Sequence, residues 1–251
     1  REFINVCQQV SKKKPIVALK LPMTKEVKMA AKSHTGSLAG VAGIYKEVFR
    51  KAGVIRCDST RQFVNSIKAL HFQPPAWGNK IALVANTGGP AAMALYRMSR
   101  YNLELAPISA NAATEANEVI NKHRMQTSLI KTDSETLAFC DMTGGATSEA
   151  IVEIAEVFLK EDTVSGAIII PRTDAPVVSK DSPARVALLS KMFPKKPIVV
   201  YNLPDPIVDP IFESYGIPVF SSAEDAVDGM NALVERGNIL KRLLYKKENL
   251  V

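Results

Sequence analysis

Apolar runs and amphipathic segments alternate along almost the whole chain, and this alternation limits the fold more than any other feature. Runs such as residues 80–85 (KIALVA) and 167–171 (AIIIP) are typical of strands that are buried on both faces of a parallel sheet. Between such runs lie segments with helical periodicity, for example residues 148–162. Strands joined by helices of about 10–15 residues form right-handed βαβ units. The sequence therefore predicts an α/β fold built from parallel sheets.

The alternation indicates two domains separated by a linker. Residues 72–79 (FQPPAWGN) contain two prolines and a glycine, which end one helix before a new strand begins. Residues 78–251 contain about five strands with helices for both faces, which predicts a doubly wound, flavodoxin-like domain. Residues 103–108 (LELAPI) are expected to form one of its strands. Residues 1–75 carry only two clear strands, so we expect them to be the C-terminal part of a truncated flavodoxin-like domain.

Basic residues are concentrated in the first of these domains. Residues 1–75 hold 14 Lys and Arg against 4 Asp and Glu, whereas the rest of the chain holds 18 against 21. A basic region attracts phosphate groups. Aromatic residues make up 6% of the chain and the basic residues are mostly scattered lysines, so nucleic acid is not the expected partner. Small phosphorylated ligands or an acidic partner domain fit this pattern better.

The cysteines and the apolar runs indicate where the chain works. Cys7, Cys57 and Cys140 are far apart and lack metal-binding spacing, so buried free thiols in a reducing compartment are expected. No apolar run reaches the roughly 18 residues that a membrane span needs. The chain opens without an initiator Met or a signal peptide, which suggests a fragment or a processed chain. We therefore expect a cytoplasmic protein without a membrane partner.

His34 is one of three histidines and stands in a small, polar setting. A metal site would need further ligands, and the sequence offers none until Glu47, so no metal ligands are predicted. A helix is predicted to begin near Ser37, and the free amides of a helix N-terminus attract anions. The local sequence leaves two interpretations open: a surface histidine without a special role, and a histidine that carries a phosphate held by this helix.

Two turns rich in glycine are further candidates. Residues 86–90 (NTGGP) join a predicted strand to a helix, which is where open α/β sheets bind ligands. Residues 141–149 (DMTGGATSE) contain a second glycine pair before a helix, with Thr147 as the expected N-cap. The amides of such turns can cradle a carboxylate or a phosphate, although each turn can also be a plain connection. Neither a dinucleotide fingerprint nor a P-loop is present.

Taken together, these segments resemble a known family. Residues 15–20 (PIVALK), the motif SHTGSLAG at 33–40, NTGGP at 86–90 and DMTGGATSE at 141–149 are similar to segments of the ADP-forming acyl-CoA synthetases, relatives of succinyl-CoA synthetase. The most specific of them is SHTGSLAG. The resemblance covers nearly the whole chain.

The resemblance implies an acid–thiol ligase that interconverts acyl-CoA, ADP and phosphate with the free acid, CoA and ATP. It implies that His34 is the catalytic residue, which takes the phosphoryl group of an acyl phosphate and carries it on a mobile loop to ADP. The turn around Thr173 is expected to face the same cavity as Ser37 and the NTGGP turn. The residues expected to bind the phosphate or acyl group are Ser33, Thr35, Gly36, Ser37, Asn86, Thr87, Gly88, Gly89 and Thr173.

The resemblance also implies partners. ATP or ADP with Mg²⁺ and CoA are the implied substrates, bound mainly by a CoA-binding domain and an ATP-grasp domain that this sequence lacks. A small carboxylic acid completes the set, and we expect an oligomer. The chain departs from the family at residues 20–23 (KLPM), at Tyr96 and at residues 138–140 (AFC), which affects the choice of substrate more than the phosphohistidine step. The alternative is a ligand-sensing module of a protein acyltransferase, in which the histidine is commonly lost.

Overall fold

A computed structural model describes residues 1–22, 24–27, 29 and 42–245 of the 251-residue chain. The helices are α1 (Glu2–Ser11), α2 (Ala42–Ala52), α3 (Thr60–Phe72), α4 (Gly88–Ser99), α5 (Ala110–Lys122), α6 (Ser148–Lys160), α7 (Ser182–Met192), α8 (Val208–Ser214) and α9 (Ala223–Tyr245). The strands are β1 (Ile16–Leu19), β2 (Val54–Cys57), β3 (Lys80–Ala85), β4 (Glu104–Leu105), β5 (Pro107–Ile108), β6 (Thr136–Leu137), β7 (Phe139–Asp141), β8 (Ala167–Ile170), β9 (Ile198–Tyr201) and β10 (Val219–Phe220).

The first part of the chain forms a small parallel sheet. Strand β1 pairs with β2 from Ile16 opposite Val54 to Leu19 opposite Cys57. Helices α1 and α2 cover it through a small core in which Cys7, Ala52 and Val54 are buried. Gly53 turns the chain from α2 into β2 with a φ of +76°, and a side chain there would press on Leu243 of α9. The turn therefore requires glycine for both its conformation and its space.

The larger sheet is parallel and doubly wound. Its order is β10-β9-β8-β3-β4, and β7 pairs with β3 as well. Strand β3 has one set of buried side chains, Ala82 and Val84, toward α5, α6 and α7, and the alternate set, including Ile81 and Leu83, toward α3, α4 and α9. The predicted α/β fold class with flavodoxin-like, doubly wound sheets is confirmed. The predicted buried free thiols are confirmed too, since Cys7, Cys57 and Cys140 are all buried and unpaired by disulfides.

The segment at residues 103–108 does not form the single strand that its pattern predicts. Glu104 and Leu105 pair in parallel with β3, whereas Pro107 and Ile108 pair antiparallel with β6 in a separate two-stranded sheet. The ladder with β3 ends at Ala106 because β3 pairs with β7 from Leu83 onward, and the Leu83 amide donates to the carbonyl of Ala138. The prediction of one strand is therefore wrong at this point.

The long helix α9 joins the two parts of the chain. It packs against α3, α4 and the larger sheet, and it also contacts β2 and α1. Linker residue Ala76 donates its amide to the Leu233 carbonyl of α9 at 3.1 Å. Helix α3 contacts β1 and β2 before the linker and α9 after it. The division into domains 1–75 and 78–251 therefore stays a prediction.

Among the helices in the described part of the chain, none has the length and apolar character that a membrane span requires.

An ion pair fixes α3 to the start of α9. The Arg61 guanidinium donates two hydrogen bonds of 2.5 Å to the buried carboxylate of Asp225, and Asn65 Nδ2 donates a third at 2.7 Å. Burial opposes ionisation of Asp225, but the hydrogen bonds from Arg61, Asn65 and Ser222 outweigh it and lower the pKa of this carboxyl. The contact is thus made to the charged carboxylate.

Replacing Asp225 with Asn is expected to lower the free energy of unfolding at neutral pH by about 2 kcal/mol, because hydrogen bonds to charged groups contribute about that much. The pKa of Asp225 in the folded chain lies below its ordinary value of 3.8. The extra stability of the wild type is therefore present above about pH 4 and is lost as pH falls through the folded-state pKa. Urea unfolding of both proteins between neutral and acid pH measures this. A stability difference that does not shrink in acid would contradict it.

Candidate functional site

Three connections meet where strands of the larger sheet end. Strand β3 ends at Ala85, β7 at Asp141 and β8 at Ile170, and all three run in the same direction. Beyond these ends lies a cleft of about 260 Å³. Its lining residues are Asn86, Thr87, Gly88, Asp141, Thr143, Gly144, Arg172 and Ala175. Clefts at the carboxyl ends of parallel strands are the usual ligand sites of open α/β sheets.

Asn86 has a buried side-chain amide of which only the nitrogen is hydrogen-bonded within the protein. Its Nδ2 donates to the Pro171 carbonyl at 2.7 Å. This bond orients the amide group and leaves Oδ1 without a hydrogen-bond partner among the described residues. A buried acceptor without a donor is costly, so such atoms usually meet a ligand or water. Because Asn86 lines the cleft, a group bound there is the natural donor.

The first turn of α4 is open to the cleft. Thr87 is the N-cap, with φ −158° and ψ 127°, but its hydroxyl accepts no hydrogen bond from the helix amides. The first amides of the helix therefore remain available to an anion. A side chain at Gly88 would lie 2.7 Å from Asp141 Oδ2, whereas the space around Gly89 is open. Glycine at position 88 keeps the cleft accessible.

Asp141 and Arg172 bring opposite charges to the cleft. Asp141 Oδ1 accepts a hydrogen bond of 3.2 Å from the amide of Thr143. Arg172 donates two hydrogen bonds, of 2.7 and 2.6 Å, to the carboxylate of Asp174. This pairing raises the pKa of Arg172 and lowers that of Asp174, although partial burial opposes both shifts. The guanidinium at the cleft is therefore firmly charged, and part of its charge is neutralised by its neighbour.

The backbone at the cleft is strained at two positions. Thr143 has a φ of +58° and Arg172 a φ of +43°. Residues other than glycine rarely adopt such positive values. Strain of this kind costs about 1–3 kcal/mol and concentrates at functional sites. Both residues line the cleft together with Gly88 at the start of α4.

The cleft thus offers donors and acceptors together. Helix amides and a guanidinium suit the oxygens of a phosphate, while Asn86 Oδ1 and the Asp141 carboxylate suit a donor. Hydrogen phosphate has three acceptor oxygens and one hydroxyl, and so matches both sets. In the described residues, no group of three or more His, Cys, Asp and Glu side chains is arranged to hold a metal ion.

Only some of the site residues predicted from the sequence lie in this cleft. Asn86, Thr87 and Gly88 lie together in the cleft, and Gly89 lies beside them in the first turn of α4. Thr173 does not line the cleft, because its amide and hydroxyl both donate to Asn202 Oδ1 at 3.0 Å. His34, Ser33, Thr35, Gly36 and Ser37 lie outside the described residues, and their roles stay predictions.

Three of the eight residues that line the cleft were among the expected binding residues. The turn at residues 141–149 was identified as a candidate from its glycine pair, but Asp141, Thr143 and Gly144 were not included among the expected binding residues. Arg172 and Ala175 were not selected at all. Arg172 follows a strand without any glycine, and nothing local marks it.

Comparison with known proteins gives a consistent relationship. Residues 1–70 match the family described as succinyl-CoA ligase like flavodoxin domain. An ADP-forming acetate–CoA ligase of Methanocaldococcus jannaschii is 37% identical over 120 residues, which is 48% of this chain and 17% of that protein. The alpha subunit of ADP-forming acetate–CoA ligase II of Pyrococcus furiosus is 26% identical over 242 residues, covering 94% of this chain and 50% of the subunit.

A solved structure has a similar fold. The acetyl-coenzyme A synthetase 1 of Ca. Korarchaeum cryptofilum, in complex with phosphate and ADP, matches 96% of this chain and 52% of its own chain with a TM-score of 0.77. At 23% identity this likeness shows the fold. The chain spans half or less of the length of the two curated relatives. The predicted relationship to the ADP-forming synthetases is confirmed, and these relatives give no support to the sensor-module alternative.

Proposed function

Because this chain is related to the ADP-forming acyl-CoA synthetases, we propose that it is the part of such an enzyme that carries the phosphoryl group. The enzyme interconverts acyl-CoA, ADP and phosphate with the acid, CoA and ATP. The observation that carries the proposal is the uncapped first turn of α4, which meets Asn86 and Arg172 at one cleft. The motif SHTGSLAG at 33–40 supplies the histidine that such an enzyme needs.

The chemistry of His34 fits a phosphoryl carrier. An oxygen of phosphate first attacks the carbonyl carbon of acyl-CoA, so a C–O bond forms, the C–S bond breaks, and CoA leaves an acyl phosphate behind. A ring nitrogen of His34 then attacks the phosphorus, so a P–N bond forms, the P–O bond to the acyl group breaks, and the carboxylate leaves. A terminal oxygen of ADP then attacks the same phosphorus, the P–N bond breaks, and ATP forms. Imidazole is largely unprotonated near neutral pH and so is a competent nucleophile. Its phosphoramidate is reactive enough to phosphorylate ADP, whereas a phosphoserine ester is too stable.

The cleft at α4 would hold the phosphoryl oxygens during the first transfer. Helix amides fixed in position stabilise developing negative charge without having to reorganise. Arg172 adds a fixed positive charge. When the reaction begins from phosphate, Asn86 Oδ1 accepts a hydrogen bond from the hydroxyl of hydrogen phosphate. In this proposal Ser33, Thr35, Gly36 and Ser37 surround the phosphate on His34, and Gly89 contributes an amide.

The remaining parts of the enzyme lie outside this chain. We place the phosphohistidine segment in a domain formed by residues 1–75 and the α4 cleft in a second domain formed by residues 78–251. A CoA-binding domain and an ATP-grasp domain would bind CoA and ATP with Mg²⁺, in the same polypeptide or in another subunit. The substrate is a small carboxylic acid, and the setting we propose is an oligomer in the cytoplasm.

The proposal is tested with an enzyme assembled from this chain and the missing domains. ATP formation from acetyl-CoA, ADP and phosphate is measured for the wild type and for Gly88→Val. A side chain at position 88 displaces Asp141 and narrows the cleft, so the KM for phosphate is expected to rise at least about tenfold, as the loss of one or two charge-assisted hydrogen bonds would cause.

The control is Ala92→Val, which adds a similar volume at an exposed position of the same helix. It is expected to leave the KM for phosphate unchanged. An unchanged KM in Gly88→Val would contradict the role of the cleft, and an assembled wild-type enzyme that forms no ATP would contradict the function.

A further inference from the structure

A second, larger groove lies between the first part of the chain and the C-terminal helix. It has a volume of about 520 Å³ and runs between α2 and β2 on one side and α9 on the other. It shares no residue with the cleft at the start of α4. Tyr101, which follows the end of α4, lines the groove, whereas Gly88 at the start of α4 lines the cleft. A helix of this length separates the two places by about 18 Å.

Positive side chains dominate the groove. Lys46 and Arg50 reach it from α2, Arg56 from β2 and Arg242 from α9. Two acidic side chains, Asp58 and Glu235, lie among them. Burial raises the pKa of Glu235, and the carboxyl group accepts a hydrogen bond from Asn231 at 3.2 Å. The lining therefore carries an excess of positive charge.

Two of these cations have buried donors without acceptors. The Nε atoms of Arg56 and Arg242 are both buried, and neither has a hydrogen-bond partner among the described residues. A buried guanidinium N–H that finds no acceptor costs free energy, and acceptors are normally supplied by the protein, water or a ligand. Both atoms belong to residues that line one groove. A negatively charged group bound in this groove could supply the missing acceptors.

Like charges are also held together in this groove. Arg242 donates through Nη2 to the main-chain carbonyl of Arg50. The partial burial of Arg242 and the nearby charge of Arg50 both lower the pKa of Arg242. The Arg50 side chain is paired with Glu47, but Arg56 and Arg242 make no ion pair with a described carboxylate. An anion bound beside Arg242 would relieve its repulsion by Arg50.

The groove also has an aromatic and aliphatic wall. Phe49 and Tyr101 contribute rings, and Val54 and Ile239 contribute aliphatic surface. Tyr101 is fixed by hydrogen bonds with Asp228 at 2.6 Å and Arg97 at 3.0 Å, so its ring is held in one orientation. Flat rings bind well against such surfaces, and cations placed beside them bind phosphate.

We propose that this groove binds a small phosphate-bearing ligand with an aromatic ring, such as a nucleoside monophosphate, with the phosphate between Arg56 and Arg242. The ligand bridges β2 and α9 and thereby fixes how the first part of the chain rests on the larger sheet. The site is separate from the phosphoryl-transfer cleft, and its occupancy does not require the proposed reaction.

Isothermal titration calorimetry on the 251-residue chain tests this with AMP, pyrophosphate and adenosine as probes. AMP is expected to bind most tightly, pyrophosphate more weakly, and adenosine not measurably, because the phosphate supplies the acceptors that both arginines lack. Affinity for AMP is expected to fall with added salt. In Arg56→Gln and in Arg242→Gln the affinity for AMP is expected to drop at least about tenfold, the loss typical of one charge-assisted hydrogen bond.

Two further variants make the result specific. Arg56→Lys keeps the charge but not the planar fork and should bind AMP with intermediate affinity. Arg172→Gln alters the other cleft and should leave AMP binding unchanged. Circular dichroism and thermal unfolding confirm that each variant is folded. The proposal is overturned if no probe binds up to millimolar concentration, if folded Arg56→Gln and Arg242→Gln both bind like the wild type, or if Arg172→Gln alone abolishes binding.

Discussion

Replacing His34 with Asn is expected to reduce ATP formation by the assembled enzyme by at least about 10³-fold, because loss of a covalent carrier removes a whole step of the reaction. Asn has a similar size and polarity but no ring nitrogen that can accept a phosphoryl group. The release of free acid and CoA should therefore no longer be coupled to the formation of ATP. The rate of ATP formation from acetyl-CoA, ADP and phosphate measures the effect.

Another histidine serves as the matched control. His71 is an exposed residue of α3, and His71→Asn is expected to leave turnover within about twofold of the wild type, as is usual for a surface substitution. Equal unfolding temperatures for the wild type and His34→Asn exclude a folding defect. Turnover of folded His34→Asn near the wild-type rate would contradict the role of His34.

Replacing Gly237 with Ala is expected to destabilise the fold by about 3 kcal/mol, at the upper end of what overpacking costs. A Cβ at Gly237 would lie 1.8 Å from the main-chain oxygen of Ala76. Ala76 cannot move aside cheaply, since it is buried and its amide is bonded to Leu233. The clash would push the linker off α9, against which Lys241 also holds the carbonyl of Trp77. Thermal unfolding should show a midpoint lowered by roughly 10 °C for a chain of this size.

Gly145→Ala is the control for this effect. Nothing lies within 4 Å of the Cβ position at Gly145, and its φ is not in the left-handed region. Alanine there should leave the midpoint unchanged or raise it slightly, because it restricts the unfolded chain. If Gly237→Ala unfolds at the same temperature as Gly145→Ala, the close packing of the linker on α9 is wrong.

The parallel sheet could be predicted from the sequence because its strands carry their own signal. Strands β3 and β8 are apolar on both faces, and only a sheet covered on both sides by helices satisfies such runs. The division of residues 103–108 between two sheets could not be predicted in this way. Pro107 and Ile108 pair with β6, which lies about 30 residues further along the chain and has no apolar run of its own.

The cleft was predictable only in part, for a similar reason. Asn86, Thr87 and Gly88 directly follow the apolar strand β3 in a turn that contains glycine, and this pattern predicted a ligand-binding turn. The prediction after β8 chose Thr173, but Asn202 occupies its hydrogen-bonding groups and Arg172 lines the cleft instead. That exchange depends on a left-handed backbone at Arg172 and on a contact between two strand ends, neither of which local sequence reveals.

The central claim is that His34 carries the phosphoryl group, and mapping a phosphoryl label tests it most directly. The assembled enzyme is incubated with ATP labelled in its terminal phosphate and with Mg²⁺, and the labelled residue is identified by peptide mapping. We predict a label on His34 that is lost in acid, survives in base, and returns to ATP on addition of ADP. A label on any other residue, or steady turnover by an enzyme that never becomes labelled, would contradict the account.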